Sequence, residues 1–333
     1  MEHTSLFHSF SIPPVIKDMP RMIRTLTLLL VTAFASTCVA QTYEIVEDDD
    51  GLTVHFDGKL LTRYLTKSGT KPILYPLLGP DGLPLTRRYP IESLGDHEKN
   101  DHIHHRSVWF THGKVNGTDF WLESEKEGGK IIHEKFEKVT DGETAQIVAV
   151  NRWEDPEGNV VCRDRRSLTF GQDEGRQYID YDVTVMAGDE PVTFGDTKEG
   201  TFGMRLAGTM KVDAKMGGTI VNDKGVKNKD AWGKASAWVD YYGPVKDKTV
   251  GVAILNHPSS YGYPTYWHVR TYGLFAANPF GVHDFVGKDK PAGDHTIEPG
   301  KEMNLRYRVL IHEGTTEDAD IPAAFARYEK VKK

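Results

Sequence analysis

The stretch Gln177-Tyr-Ile-Asp-Tyr-Asp-Val-Thr-Val185 is the clearest indication of fold class, because it is rich in the aromatic and β-branched residues that favour strands. Comparable short runs recur between residues 43 and 311, separated by Gly, Asp, Asn and Pro; they include 52–56, 145–150 and 250–255. Many strands at near-regular spacing predict an all-β fold, a large antiparallel β-sandwich or barrel.

One persuasive helix is predicted, at the C-terminal end of the chain. Apolar residues recur there at helical spacing: Ile321, Ala324, Phe325 and Tyr328. Asp320 suits the N-cap, and Pro322 falls in the first turn, where its missing N–H costs little.

The chain has no low-complexity linker and no repeat of fixed period. The Lys- and Gly-rich segment 211–234 is interpreted as long hairpins rather than as a hinge. We therefore expect a single β-sandwich domain over residues 41–333, preceded by an N-terminal extension and signal peptide over residues 1–40.

The segment 21–40 has the pattern of a secretory signal peptide: a basic start, an apolar stretch over 26–34 and small residues before Gln41. Cleavage is expected after Ala40, which predicts a periplasmic or secreted protein. Outside this segment no apolar run approaches the roughly 18 to 20 residues that span a bilayer, so no transmembrane segment is expected in the mature chain.

Two alternatives concern the N-terminus. Met19 and Met22 each stand where a signal peptide would begin, so translation from one of them is a hypothesis beside a start at Met1. Lipoprotein processing at Cys38 is the second alternative, although Ala35 is not the large apolar residue such sites usually carry. After cleavage at Ala40 only Cys162 remains, so no internal disulfide is expected.

The charge balance excludes one class of partner. The chain carries 41 basic and 48 acidic residues, a formal charge of −7. Nucleic acid is not expected to bind such a chain, because its phosphates require an excess of cations.

Five histidines fall within sixteen residues: His97, His102, His104, His105 and His112. Imidazole titrates near neutrality and is the commonest metal ligand, so this density indicates proton transfer, metal binding or polar recognition. A strand over 104–112 would place His104, Arg106 and His112 on one face. His102, His104, His105 and His112 are candidate metal ligands, and a solvated loop is the alternative.

The segment 195–205 interleaves Asp196, Lys198, Glu199 and Arg205 with glycines ahead of a strand-like run. Such a loop presents charged side chains at a sheet edge. It is similar to a general-base loop and lacks the glycine and lysine order of a phosphate-binding loop. An acidic turn with solvated charges is the alternative.

A third segment predicts a ligand-binding face. On an extended strand, Tyr266, His268, Arg270 and Tyr272 project to one side. Burying such polar heads is costly unless a ligand or a hydrogen-bond network satisfies them, and a structural network is the alternative.

Aromatic rings among hydrogen-bonding groups also suit sugars. Four rings are candidates for stacking on a sugar: Trp109, Trp121, Tyr266 and Trp267. Filling a β-rich core is the alternative role for each of them.

Four segments together resemble a bacterial family called PmoA-like, or methane oxygenase-like: 102–113, 115–121, 196–205 and 264–281. Ser107 stands where glycine is expected in this family. The resemblance implies a setting of sugar breakdown and a fold similar to the galactose mutarotase supersandwich. A methane monooxygenase role does not fit, because a membrane subunit of that enzyme needs several transmembrane helices.

We therefore predict an exported carbohydrate-active enzyme that uses acid–base chemistry on a sugar, as an epimerase, lyase or hydrolase. Glu199 is the expected general base, and His268 or His104 the general acid. The expected substrate-binding residues are Lys198, Arg205, Arg270, Tyr266, Tyr272, Arg106, Trp109 and Asn278. The favoured interpretation requires no cofactor. The alternatives are a metal-dependent enzyme with a divalent ion at the histidines, or a non-catalytic glycan-binding protein.

Overall fold

The computed structural model describes residues 41–124 and 126–332, so the predictions for the signal peptide, Met19, Met22 and Cys38 lie outside the described residues. Within these residues the chain forms eighteen strands: β1 (Tyr43–Asp48), β2 (Gly51–Phe56), β3 (Lys59–Ser68), β4 (Lys71–Leu77), β5 (Val108–His112), β6 (Lys130–Thr140), β7 (Ala145–Glu154), β8 (Val160–Asp173), β9 (Arg176–Met186), β10 (Val192–Phe194), β11 (Gly200–Arg205), β12 (Thr219–Asn222), β13 (Trp238–Val245), β14 (Lys248–Asn256), β15 (Tyr266–Val269), β16 (Leu274–Asn278), β17 (His295–Ile297) and β18 (Glu302–Glu313). Two helices accompany them, α1 (Val282–Phe285) and α2 (Ile321–Tyr328).

Two eight-stranded antiparallel sheets carry most of these strands. The first sheet has the order β1-β2-β3-β4-β5-β11-β16-β15, and the second has the order β12-β13-β14-β18-β9-β8-β7-β6. A two-stranded sheet pairs β10 with β17. The predicted all-β antiparallel sandwich is confirmed, and each of the four quoted runs falls within an observed strand.

The core lies between the two large sheets, because alternate residues of each strand turn their side chains inward. In β9 of the second sheet Tyr181 is buried, and its ring lies 4.7 Å from that of Phe202 in β11 of the first sheet. Phe202 also stacks on Tyr307 of β18, at 5.1 Å between ring centroids. Inward residues of both sheets thus form one hydrophobic layer.

A buried arginine, paired with a carboxylate on its own strand, bridges this layer. Arg166 and Asp164 of β8 are fully buried and lie 2.9 Å apart. The guanidinium also donates to the carbonyl oxygen of Phe110 in β5. The second sheet therefore holds the backbone of a strand that supports the cleft described below.

The C-terminal helix forms as predicted. The Asp320 side chain accepts a hydrogen bond from the backbone N–H of Ala323, which caps α2. Ile321, Ala324 and Tyr328 are buried on one side of the helix against the outer face of the second sheet. Helical spacing was sufficient here because one face is consistently apolar.

The segment 211–234 is not a pair of long hairpins. It contains the short strand β12 between two single-turn 3-10 helices, Val212–Ala214 and Asn228–Ala231. Lys215 and Gly217 both adopt positive φ, which closes tight turns that a long hairpin does not contain. Helix α1 was also not predicted, because four residues are too few to show a helical period.

No helix in the described part of the chain is both long and apolar enough to cross a membrane.

Candidate functional site

Three segments singled out from the sequence meet on the outer face of the first sheet: the histidine segment, 195–205 and 266–272. In β5, β11 and the edge strand β15 the core-facing residues include Phe110, Phe202 and Trp267, whereas the alternate residues Trp109, Arg205 and His268 point to the opposite side. A cleft of about 350 Å³ lies there, lined by His102, His104, His105, Leu122, Lys198, Glu199, His268, Arg270 and Tyr272. This volume is within the range of small-molecule sites, roughly 300–1,000 Å³.

Four near-parallel aromatic rings form one wall of the site. They are Trp109, His105, His102 and Tyr272, with successive centroid distances of 5.4, 4.8 and 5.5 Å and interplanar angles of 15°, 11° and 12°. Trp109 is fully buried at the base of this stack. Tyr272 belongs to the turn between β15 and β16, so the stack joins the histidine segment to the third segment.

Arg205 fixes the tautomer of His105. Its Nη1 lies 2.9 Å from His105 Nδ1. Because a guanidinium only donates, Nδ1 must accept and the ring proton of His105 is on Nε2. Burial, with the neighbouring His104 and Arg205, lowers the pKa of His105 well below its usual value, so the ring is neutral at pH 7.

Asp101 holds Arg205 in place. Its Oδ1 lies 3.2 Å from Arg205 Nη2 and 2.8 Å from Arg87 Nη1. Burial would raise the pKa of Asp101, but Arg205, His102 and Arg87 outweigh burial and lower it. The carboxylate is therefore ionised and shared between two arginines.

His268 has the opposite tautomer. Its Nδ1 lies 2.8 Å from the backbone carbonyl oxygen of Lys198, which can only accept, so the ring proton is on Nδ1. Burial is the main cause that lowers the pKa of His268 to about 4. The ring is neutral at pH 7, and its Nε2 is a proton acceptor with no hydrogen-bond donor among the described residues.

Glu199 is the one carboxylate among the residues that line the cleft. Its Oε1 lies 3.2 Å from Lys198 Nζ, and the two side chains are 32% and 42% exposed. An ion pair this exposed contributes about 0–1 kcal/mol, so it leaves Glu199 free to turn towards a ligand.

His104 lies above a buried charge cluster. Lys71 Nζ and Arg106 Nε are both 2.8 Å from Glu123 Oε1, and Lys71 is fully buried. Burial first, and Lys71 second, lower the pKa of His104 to about 4. His104 is therefore neutral at pH 7, like the other two buried rings of the cleft.

Three of the expected substrate-binding residues make contacts within the protein, next to the cleft. Arg106 is bound in a fork by Glu123, with Nε and Nη2 both at 2.8 Å from carboxylate oxygens. Asn278 is buried and donates to the carbonyl oxygen of Thr197, which fixes the loop that carries Glu199. Trp109 does not line the cleft, since it is 0% exposed and lies behind His105.

Three further aromatic candidates also lie away from the cleft lining. Tyr266 is half-buried and packs on Phe285 of α1, at 5.8 Å between centroids. Trp267 is fully buried in the core and donates to the carbonyl oxygen of Ser236. Trp121 packs against Trp109 at 5.4 Å and is 1% exposed.

The expectation of one strand over 104–112 is wrong. The strand begins at Val108, and Ser107 adopts a φ of 53°, which ends the two-residue alternation before it reaches His104. His112 consequently faces the sandwich interior, where its Nε2 lies 2.8 Å from the carbonyl oxygen of Gly195. It is separated by the sheet from the other candidate metal ligands.

The structure places His102, His104 and His105 together without a metal-binding arrangement. Among residues 41–124 and 126–332, no group of three His, Cys, Asp or Glu side chains is positioned to hold a metal ion. The described structure therefore does not bring the four candidate ligands of the metal alternative together, because His112 is on the other face.

Sequence reasoning missed several residues that shape the cleft. Asp101 and Arg87 were not singled out, although Asp101 directly precedes His102. Leu122 lines the cleft, and Glu123 supports it from the next position. No local pattern marks these residues, since their partners are distant in sequence.

A model described as a family of unknown function matches residues 51–326. No curated protein matches the chain.

Among solved structures, a galactose mutarotase related enzyme from Lactobacillus acidophilus is 12% identical, with 82% of this chain and 98% of that chain covered and a TM-score of 0.31. The Slr1438 protein from Synechocystis sp. PCC 6803 is 9% identical, with 82% and 96% covered and a TM-score of 0.32. Similarity at this level transfers no activity to the present chain.

Proposed function

The chain belongs to DUF6807, a family of unknown function, and we propose that it is a carbohydrate-active enzyme that moves protons on a sugar bound in the histidine-lined cleft. The observation that supports this most is the pair of opposite tautomers. His105 presents an N–H donor and His268 presents an acceptor nitrogen, and both line the same cleft. A finer assignment to the PmoA-like group remains a hypothesis.

In this proposal His268 is the general base. A ring with a pKa of about 4 is unprotonated at neutral pH, so its Nε2 takes a proton from the substrate. This reverses the role expected from the sequence, which had His268 as the acid. Glu199 is the second proton-transfer group in this proposal. Its carboxylate pairs with the Lys198 ammonium and can turn from it towards a ligand.

The remaining polar groups would stabilise developing negative charge. Lys198 and Arg270 line the cleft as cations, and His105 Nε2–H is a neutral donor. Donors that are fixed before the reaction stabilise an oxyanion without a reorganisation cost. Arg205 and Asn278 act through His105 and the Glu199 loop as positioning residues.

This arrangement favours epimerisation or elimination over hydrolysis. Both start with proton abstraction, for which a neutral histidine is suited. Glycoside hydrolysis commonly uses two carboxyl groups, one of them protonated. The cleft lining contains a single carboxylate, and its buried histidines are unprotonated at neutral pH.

Hydrogen exchange with solvent tests the proposal. The purified chain is incubated in D₂O with a panel of neutral and acidic sugars and their keto derivatives, and loss of individual C–H signals is followed by NMR. We expect exchange or turnover of at least one sugar, reduced about 10²-fold or more in His268→Gln. The His55→Gln variant is the matched control, since His55 in β2 does not line the cleft.

Equal rates in His268→Gln, Glu199→Gln and the unchanged chain would rule out acid–base catalysis in this cleft. Binding that persists without any turnover would instead support the non-catalytic glycan-binding alternative.

Export and domain organisation complete the proposal. We propose cleavage near Ala40 and a periplasmic or secreted location, with residues 41–333 as one domain. N-terminal sequencing of the processed protein checks the first point, and a modified cysteine at residue 38 would replace it with the lipoprotein alternative. Limited proteolysis that releases a stable fragment would contradict the single domain.

A further inference from the structure

Arg270 is held in the cleft without an acidic partner. Its guanidinium carbon lies 5.7 Å from the ring centroid of Trp232 and 5.7 Å from that of Tyr272. Among the residues that the structure describes, no carboxylate is within ion-pair distance of it and no acceptor takes its side-chain hydrogens. The other arginines that reach this region, Arg205 and Arg106, are both paired with carboxylates.

The two rings fix the position of Arg270. Contact with aromatic faces stabilises a guanidinium by roughly 0.5–2 kcal/mol while leaving its N–H edge available. A planar fork of N–H donors matches the geometry of a carboxylate or another oxyanion. The side chain is therefore oriented before any ligand arrives.

Arg270 also stands between two depressions. Beside the main cleft lies a second one of about 220 Å³, lined by Lys229, Trp232, Val269, Arg270 and Thr271. A ligand that extends from the main cleft past Arg270 would meet the Lys229 ammonium there.

The charge around Arg270 is positive, although the chain as a whole carries −7. Lys198, Lys229 and Arg270 line the two depressions, against the single carboxylate of Glu199. That carboxylate lies 3.2 Å from Lys198, which leaves Arg270 and Lys229 without neutralisation from the lining residues.

We infer that the substrate is an acidic sugar whose anionic group binds Arg270 between Trp232 and Tyr272. This inference rests on the proposed function and names its substrate class: a sugar with a carboxylate, or with a sulfate or phosphate ester. The shared chemistry is an oxyanion that accepts two hydrogen bonds from the guanidinium fork.

A carboxylate at this position would also assist the proposed chemistry. Neutralising it with Arg270 makes the adjacent C–H more acidic. In the step, that C–H bond breaks, the proton forms a bond to His268 Nε2, and the electron pair moves into the carboxylate as an enolate. A proton taken from solvent and delivered to the other face of the carbon would give the epimer, and His268 would release its own proton to solvent.

Matched acidic and neutral sugars test the inference. The probes are D-glucuronate and D-galacturonate against D-glucose and D-galactose, with glucose 6-sulfate and glucose 6-phosphate to separate carboxylate from ester. Dissociation constants are measured by calorimetry at low salt. We expect at least one acidic probe to bind 10-fold or more tightly than its neutral counterpart. This preference should fall 10-fold or more in Arg270→Gln and only in part in Arg270→Lys.

The control variant is Arg165→Gln, which removes the same charge from an exposed pair with Glu137 on the second sheet. It should leave the preference unchanged. If Arg270→Gln retains the preference, or if no acidic probe binds in a manner that depends on Arg270, the inference is overturned.

The two proposals fail separately. A neutral sugar turned over at the same rate by Arg270→Gln would refute the acidic-sugar inference and keep the acid–base function. An acidic sugar that binds through Arg270, with solvent exchange unaffected by His268→Gln and Glu199→Gln, would keep the subsite and refute the catalytic role.

Discussion

The Nδ1 atom of His268 lies 2.8 Å from the backbone carbonyl oxygen of Lys198, next to the carboxylate-bearing Glu199 in sequence. This contact couples the strand that carries the histidine to the loop that carries the glutamate. It fixes the imidazole as an acceptor at Nε2 and holds the Glu199 loop against the sheet. A change to either partner is therefore expected to affect both proton-transfer groups.

Activity should depend on pH through His268. Burial lowers the pKa of this ring to about 4, so the base is available at neutral pH and is lost as the pH falls towards 4. We expect the logarithm of kcat/KM to decrease below about pH 5, measured over pH 3.5 to 8 with any sugar that the panel identifies. A profile whose acidic limb lies near pH 6.5 would mean that the histidine is not desolvated in this way.

Arg205→Met should impair activity through His105 and not through folding. Without the guanidinium, either nitrogen of His105 can carry the proton, so the fixed donor is lost. We expect activity to fall about 10²-fold, as for other preorganised donors, and Arg205→Lys to restore part of it. Nitrogen-15 NMR of the His105 ring checks the cause, since one tautomer should dominate in the unchanged chain and both in Arg205→Met. A single unchanged tautomer in the variant would contradict the positioning role.

Glu123→Gln should destabilise the protein. The substitution leaves the fully buried Lys71 and the nearly buried Arg106 without their shared carboxylate. Removing one partner of a buried ion pair costs about 3–5 kcal/mol of unfolding free energy. Urea denaturation measures the loss. Glu134→Gln, which affects exposed pairs with Arg163, should cost less than about 1 kcal/mol. Similar losses in the two variants would be inconsistent with this assignment.

Stability should decrease as the pH falls from about 6.5 to 4. Burial lowers the pKa of His104, His112 and His268 to about 4 in the folded chain, below the usual value of 6.5, so the unfolded chain binds more protons in this range. The contribution of these three neutral rings to the unfolding free energy is complete above pH 6.5 and is lost as the pH falls through 4. His312 acts in the opposite direction, because Asp240 raises its pKa despite burial, and its contribution is lost as the pH rises. Measurement of the unfolding free energy at pH 7 and at pH 4.5 tests whether the three histidines with lowered pKa outweigh His312. His112→Gln should reduce the difference between them, and an unchanged difference would exclude His112 as a source.

The sequence was sufficient wherever structure depends on local periodicity. The alternation in residues 177–185 predicted β9, because a strand turns successive side chains to opposite sides whatever its partners are. The spacing of Ile321, Ala324 and Tyr328 predicted α2 for the same kind of reason. The segments that line the cleft were also recognisable, since their residue types are costly to bury without hydrogen-bond or ion-pair partners.

Periodicity failed where the backbone leaves a regular element. His104 and His112 were placed on one face, but the positive φ of Ser107 separates the loop from the strand, and the two rings lie on opposite sides of the sheet. The role proposed for His268 also differs from the expected one, because its acceptor state depends on the carbonyl of Lys198, seventy residues away.

The sequence by itself determined the all-β class, the terminal helix and the segments that carry reactive side chains, because these follow from residue type and local spacing. Only the tertiary structure decided which of those side chains share the cleft, which tautomers His105 and His268 adopt, and that Arg270 has no acidic partner among the described residues. The physical reason is that burial and hydrogen-bond partners are set by contacts between strands distant in the chain, such as Arg205 with His105 and Arg270 with Trp232.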